Sequence, residues 1–267
     1  MTDQGLTPDR IDTSRPHPAR MYDYYLGGQD NYEVDRAAAD QLMALTPDVR
    51  LSAQANRDFL QRSVRDVVRS GVRQIIDVGT GIPTSPNTHE AAHAVDPEVR
   101  VVYIDNDPIV SVYAGAKLTA TPNTGFLLAD MRDPVAITEN AVMREHIDFS
   151  QPVALLLVSV LHFIKDAEDP KGLISALTDH LAPGSRLVLS HATGDFHAKD
   201  TGDRGAEVYA KATANLSLRG HAEILPLFDG FELADPGLVQ VSRWRPEGEV
   251  SAELDRVAVY GGVGVKS

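Results

Sequence analysis

Ile75-Ile76-Asp77-Val78-Gly79-Thr80-Gly81 reads as a buried strand that stops on an acid and turns on glycines. An open α/β sheet presents its first loop to a nucleotide-like ligand in this way, because glycine lets backbone approach the ligand closely. Val101-Val102-Tyr103-Ile104-Asp105 repeats the design, an apolar strand ending on a carboxylate. An acid at the tip of the second strand is the usual partner of ribose hydroxyls. In Gly79-x-Gly81-x-x-Thr84 the third glycine of a dinucleotide fingerprint is absent, and Pro83 stiffens the turn. The pattern points to a bound adenosine, but not to a pyrophosphate held as dehydrogenases hold it.

Further strands are expected near 73–78, 99–105, 124–128, 153–159 and 186–190, with helix-length stretches between them. That alternation means a mostly parallel sheet covered on both faces. Phe231-Glu232-Leu233, Gly237 to Trp244 and Arg256 to Gly262 look like strand pieces without intervening helices, so an antiparallel terminal edge is expected. Upstream, Val34, Ala37, Ala38, Leu42 and Leu45 are spaced for a helix over Glu33–Leu45. Ala53, Phe59, Leu60, Val64, Val67 and Val68 form the stripe of a second, over Asp48–Ser70, which Gly71 ends. Residues 1–19 carry Pro8, Pro16 and Pro18 and read as an extended or flexible lead-in. The expected organisation is a helical cap or lid over 20–70 and a Rossmann-like α/β domain over 71–267, with 20–267 one compact unit and a seven-stranded sheet.

The chain has 267 residues and is 43% hydrophobic, enough for one domain with a full core. It has no cysteine, which excludes disulfides, thiolate metal sites and cysteine nucleophiles. The polar N-terminus shows no apolar signal region, and the run Val153–Leu161 is too short to span a bilayer. A cytoplasmic location is expected, with no membrane anchor. The net charge of −13 argues against nucleic acid as a partner, since such affinity comes from neutralising phosphates. It favours approach of a cation, though an acidic balance mostly serves solubility. Oligomeric state is left open.

Four of the eight tyrosines fall between positions 22 and 32, beside Gly27-Gly28. They read either as packing for a short helix or as a lid, tyrosine supplying a rigid face and a hydroxyl. At the strand tips stand Asp77, Asp105 and Asp130, and the fourth tip is Ser159-Val160-Leu161-His162-Phe163. Asp105 can accept from ribose hydroxyls, Asp107 can cap the next helix, and Asp130 can accept from an exocyclic amine such as adenine N6. His162 and His191 end strands and are candidate bases, while His89 and His93 share a helix face at metal-compatible spacing without a third ligand. No metal is expected. Ser190-His191 with Asp195 lacks the Gly-x-Ser-x-Gly elbow of a hydrolase, and no phosphate-binding P-loop motif occurs.

The three strand-tip acids and the glycine loop resemble the class I S-adenosylmethionine-dependent methyltransferases. More narrowly, Pro16-His17-Pro18-Ala19-Arg20-Met21-Tyr22-Asp23-Tyr24-Tyr25-Leu26-Gly27-Gly28-Gln29-Asp30-Asn31-Tyr32, with Asp77 to Thr84 and Tyr103 to Pro108, is similar to an actinobacterial family known as S-adenosyl methyltransferase or as a domain of unknown function. The resemblance implies S-adenosylmethionine as cofactor, Gly79 and Gly81 near its methionine, Asp105 on ribose, and Asp130 with the Met131 backbone beside adenine. Asp77, Thr80, Asn106 and Ser159 complete the expected cofactor contacts. Tyr24, Tyr25 and Arg20 are expected to close over the donor, Arg20 reaching the methionine carboxylate, and Gly27 is expected among the cofactor contacts. His162, His191 and Tyr25 are the catalytic candidates. The expected function is methyl transfer to a small molecule by direct displacement. One alternative is a module that binds the cofactor without chemistry; its pocket beside the sulfonium would be filled by Tyr24, Tyr25 or Phe163. Another is a nicotinamide-dependent oxidoreductase, against which Asp77 and Thr84 count.

Overall fold

The computed structural model describes residues 12–119, 121, 123–196 and 205–267. Among the described residues three helices precede the sheet. Pro18, whose ring presets a helical φ, opens α1 (Pro18–Tyr25) inside the stretch read as a lead-in, and Gly27 at φ +82° lies just beyond its end. The expected helices are α2 (Glu33–Leu45) and α3 (Val49–Arg69). The α3 stripe buries Phe59, Leu60, Val64, Val67 and Val68, and Gly71 at φ +101° turns the chain into the sheet. Residues 1–11 of the lead-in lie outside the described residues.

The sheet holds β1 (Gln74–Val78), β2 (Arg100–Asp105), β3 (Thr124–Leu128), β4 (Ala154–Val158), β5 (Arg186–Ala192), β6 (Phe231–Leu233), β7 (Val239–Gln240) and β8 (Val259–Lys266). The order is β3-β2-β1-β4-β5-β8-β6, with β7 also on β8. β1 to β5 are parallel; β8 runs antiparallel to β5, and β6 and β7 pair antiparallel with β8. Among the described residues there are thus eight strands where seven were expected. The outer edge is divided because Pro236 has no N–H to give a ladder and Gly237 sits at φ +87°. The stretch read as strand to Trp244 keeps only two strand residues, then winds into a 3₁₀ turn over Val241–Arg243.

The sheet is packed on both faces. α3 covers one, where Phe59 meets the fully buried Trp244 edge-on, ring centroids 5.4 Å apart. On the other face Ile76, Val102, Leu155 and Leu187 meet Ile137, Met143, Ile174 and Leu177 of three further helices, α6 (Pro134–Thr138), α7 (Ala141–His146) and α8 (Pro170–Thr178). These follow α4 (Thr88–His93) and α5 (Pro108–Lys117). β1 lies between β2 and β4, so the chain builds outward on one side of β1 and then on the other. Ligands of open α/β sheets bind outside the carboxyl ends of the strands at such a switch point. Among the described residues, no helix is long and apolar enough to cross a membrane.

Candidate functional site

At the β1 tip, Asp77 Oδ2 accepts from the hydroxyls of Thr80 (3.1 Å) and Thr88 (2.6 Å). Burial pushes its carboxyl above the usual range. Gly79 and Gly81 take φ +73° and +69°, and the amides of Gly79 and Thr80 donate to Ile104 O at 2.8 and 3.2 Å, folding the loop back over β2. No helix starts at once: α4 begins only at Thr88, after Asn87. The third glycine of a dinucleotide fingerprint packs a helix closely on its strand, a need that does not arise here. A Cβ on Gly79 would lie 2.6 Å from Val160 Cγ2 in a backbone region costly to other residues. Gly79→Ala is therefore expected to cost about 1–3 kcal/mol in unfolding experiments and to weaken ligand binding at the loop.

The second tip is tied to the first. Asp105 Oδ2 accepts from Gly81 N (2.8 Å) and Oδ1 from Asp107 N (2.9 Å). A carboxylate offers about four acceptor positions, so about two remain for a ligand. Burial pushes the Asp105 carboxyl up to about 6. Asp107 caps α5 through Ile109 N at 2.9 Å, and its Oδ2 lies 3.0 Å from His17 Nδ1 on the N-terminal segment. At the third tip Asn106 Nδ2 donates to Asp130 Oδ2 (2.9 Å), and Arg132 N donates to Oδ1 (2.9 Å). Partial burial raises the Asp130 carboxyl, but these bonds and the Arg132 guanidinium outweigh it and lower it.

The fourth tip hangs on a buried chain of hydrogen bonds. Ser159, at φ +56°, donates from N to Ser190 Oγ (3.0 Å), which donates to Asn56 Oδ1 (2.6 Å). Asn56 Nδ2 donates to Tyr22 Oη (3.0 Å), which donates to Ala53 O (3.0 Å). Helices α1 and α3 are thereby keyed to β4 and β5.

One cavity of about 550 Å³ joins these tips to the helices. Of the expected residues, Arg20, Tyr25, Asp77, Gly79, Thr80, Gly81, Asp105, Asn106, Asp130, Met131, Ser159 and His162 line it. Tyr24, Gly27 and His191 do not, which corrects their expected roles. At about 100° per residue, Tyr22 and Tyr25 share the inward face of α1 and Tyr24 points away. Its hydroxyl donates to Asp40 Oδ1 at 3.2 Å, under the Arg50 guanidinium. Gly27 has no atom within 4 Å of its would-be Cβ. His191 Nδ1 donates to Ala192 O (2.7 Å) and Nε2 accepts from Arg219 (2.9 Å), so neither nitrogen is open, and burial lowers the ring to about 4.

Arg20 is corrected in part: it lines the cavity, yet its guanidinium donates to Asp35 Oδ1 (3.1 Å), Asp12 O (3.1 Å) and Arg15 O (2.7 Å). It holds the N-terminal segment rather than reaching for a ligand. Burial pushes the Tyr25 hydroxyl far up, which unsuits it as a base. His89 Nδ1 and His93 Nε2 are bonded to Tyr103 Oη (2.7 Å) and Val99 O (2.8 Å). Tyr22 of the tyrosine cluster lines the cavity too, as do Asn56, Arg57 and Tyr209, which the sequence reading missed. Arg57 had a signal, as a cation bordering the α3 stripe; Tyr209 had none.

The S-adenosyl methyltransferase family matches this chain over residues 4–267. The chain belongs to that family. A DUF574 family protein from Streptomyces avermitilis is 41% identical, with 97% of this chain and 100% of that one covered, and its crystal structure superposes with a TM-score of 0.92. A protein from Thermobifida fusca, described as a candidate methyltransferase, is 37% identical over 98% of this chain and 99% of its own, with a TM-score of 0.91. An O-methyltransferase family protein from Burkholderia thailandensis shares the fold at 14% identity and a TM-score of 0.56, covering 92% of this chain and 64% of that one. Among proteins of curated function none matches. The methyltransferase is thus S-adenosylmethionine-dependent, with a class I fold. Its site fits that cofactor: the glycine loop leaves no Cβ at the closest approach, and the buried Asp105 keeps acceptor positions open.

Proposed function

We propose that this methyltransferase acts on a small molecule held in the same cavity as its cofactor, by direct displacement and without a metal. S-adenosylmethionine, when bound, supplies a methyl group already activated on a sulfonium. The chain's task is then to align, to exclude water and to leave room for the acceptor. In this reading Asp105 accepts from the ribose hydroxyls, Asp130 and the Met131 backbone flank adenine, and Gly79 to Gly81 border the methionine part. Arg57 takes the role first expected of Arg20. It is the one arginine lining the cavity without a carboxylate partner among the described residues, bonding only the carbonyls of Thr84 and Pro86, and its buried Nε is unpaired. Its charge suits the methionine carboxylate.

The observation that carries transfer over mere storage is the run of the cavity beyond the first three strand tips to Phe163, Tyr209 and Leu216. Tyr24 points elsewhere and Tyr25 lines the space without closing it. Membership of the family weighs against the oxidoreductase reading. The net charge of −13 weighs against a nucleic-acid acceptor. Calorimetric titration with S-adenosylmethionine, S-adenosylhomocysteine and NAD tests the reading: the first two should bind and NAD should not. Arg57→Ala should weaken both by roughly tenfold, the scale of one hydrogen bond to a charged group. NAD binding in place of the other two would end the proposal.

A further inference from the structure

The part of the cavity beside the fourth strand tip is walled by Tyr25, Phe163, Tyr209, Leu216 and Leu218, with His162 among them. The His162 ring lies 4.4 Å from that of Phe163, which lies 5.6 Å from Tyr209. Among the described residues no lysine lines the cavity, and the carboxylates that do are Asp12 and the acids at the strand tips. Asp12 is exposed, and its Oδ1 accepts from Ser14 N and Oγ at 2.8 and 2.6 Å.

His162 Nδ1 accepts from Ala192 N at 3.3 Å. The neighbouring His191 is fixed between Ala192 O and Arg219, and Arg219 is itself held by Asp166, so the polar surroundings of His162 are set on that side. Burial, with His191 and Arg219 adding, holds His162 well below the usual histidine range, so the ring is neutral near pH 7. A neutral imidazole that accepts at Nδ1 carries its proton at Nε2. Nε2 has no hydrogen-bond partner among the described residues, and the residue lines the cavity. His162 is therefore a donor toward the cavity, the reverse of the base its position suggests.

We propose that His162 Nε2–H and its aromatic surround select an apolar acceptor, of aryl or enol type, that arrives with its reacting oxygen already ionised. This rests on the methyl-transfer reading above. An N–H donor cannot take up a proton, and burial pushes the Tyr25 hydroxyl up and that of Tyr209 up to about 12. Among the described residues a protonated hydroxyl would find no base to receive its proton in this half. An oxyanion needs none: the O–CH₃ bond forms as the S–CH₃ bond breaks, the sulfonium becomes a neutral thioether, and no proton is left over. Buried charge needs a hydrogen-bond donor, which Nε2–H supplies. An ammonium acceptor would find no carboxylate in this half among the described residues and would meet the like charge of the sulfonium. The net charge of −13 opposes an approaching anion, but screening confines that effect to about 8 Å at physiological ionic strength.

The test uses para-nitrophenol, titrated into protein saturated with S-adenosylhomocysteine, beside benzyl alcohol and benzylamine. Para-nitrophenol should bind best, with an affinity that rises with pH as the probe itself ionises. The other two should bind at least roughly tenfold more weakly. His162→Phe should reduce para-nitrophenol affinity roughly tenfold or more while leaving S-adenosylhomocysteine affinity intact, and His162→Gln, which returns an N–H, should recover part of the loss. Benzylamine binding as tightly, no aryl probe binding at all, or a His162→Phe variant with the same preference would each overturn the proposal. Failure of S-adenosylhomocysteine to bind the unmodified protein would instead remove the reading beneath it.

Discussion

Asp35→Ala is expected to lose about 3–5 kcal/mol of stability and to weaken cofactor binding with it, because it strands a buried charge. Asp35 is fully buried, and so is Arg20, at 0% and 2% side-chain exposure. One carboxylate oxygen accepts from Arg20 Nε (3.1 Å) and His17 N (2.9 Å); the other accepts from Tyr32 N at the start of α2 (2.9 Å). Arg20 in turn ties down the carbonyls of Asp12 and Arg15. The pair thus pins the N-terminal segment, α1 and α2 together on one wall of the cavity. Removing the acid leaves the guanidinium with two carbonyls and no counter-charge. Burial of an ion pair is not in itself evidence of net stabilisation, and the doubly apolar variant Arg20→Met with Asp35→Leu should regain much of the loss. Denaturant unfolding of the single and double variants checks both points. A loss below about 1 kcal/mol for Asp35→Ala would mean that the pair is hydrated and idle.

The same pair shows where the sequence stops being legible. The strands could be read because each is a short apolar run closed by its own punctuation, as Ile75 to Gly81 is. The α3 helix could be read because its stripe repeats at helical spacing over about six turns. Those signals are local. Arg20 looked like a ligand-binding cation because nothing nearby in sequence marks Asp35, fifteen residues on, as its partner. His191 looked available because Arg219, which occupies its Nε2, comes from a distant loop. The tyrosine cluster was visible, but which tyrosines face inward depends on the side of α1 that α3 covers. The outer edge of the sheet was visible as strand pieces, while its division into two depended on how Pro236 and Gly237 turn. The site acids were legible for a different reason: in a parallel sheet the strand end and the ligand site are the same place.

Asp105 should make cofactor binding depend on pH. Burial, the largest influence, raises its carboxyl to about 6, and Asp107 adds to the rise; hydrogen bonds from the amides of Asp107 and Gly81 oppose it. The folded value lies above the unfolded one, so between about pH 4 and about pH 6 the folded protein without ligand binds more protons. Stability from this group therefore falls as pH rises through that window, by about 3 kcal/mol in all. The ligand reverses the preference. Ribose hydroxyls donate to an ionised carboxylate, so binding favours loss of the proton, and affinity for S-adenosylmethionine should fall roughly tenfold for each pH unit below about 6. Near neutral pH, Asp105→Asn should cost roughly a hundredfold in affinity, the scale of two hydrogen bonds to a charged acceptor, and should flatten the profile. His17, 3.0 Å from Asp107 and lowered by burial, is another titrating group on this turn, so His17→Gln serves as the control and should keep the dependence. Calorimetry in buffers of different ionisation enthalpy, from about pH 5 to about pH 8, counts the protons released. An affinity that does not change over that range in the unmodified protein would mean that Asp105 is already ionised before the cofactor arrives, and that the charge buried at the β2 tip is stabilised by the loop amides alone.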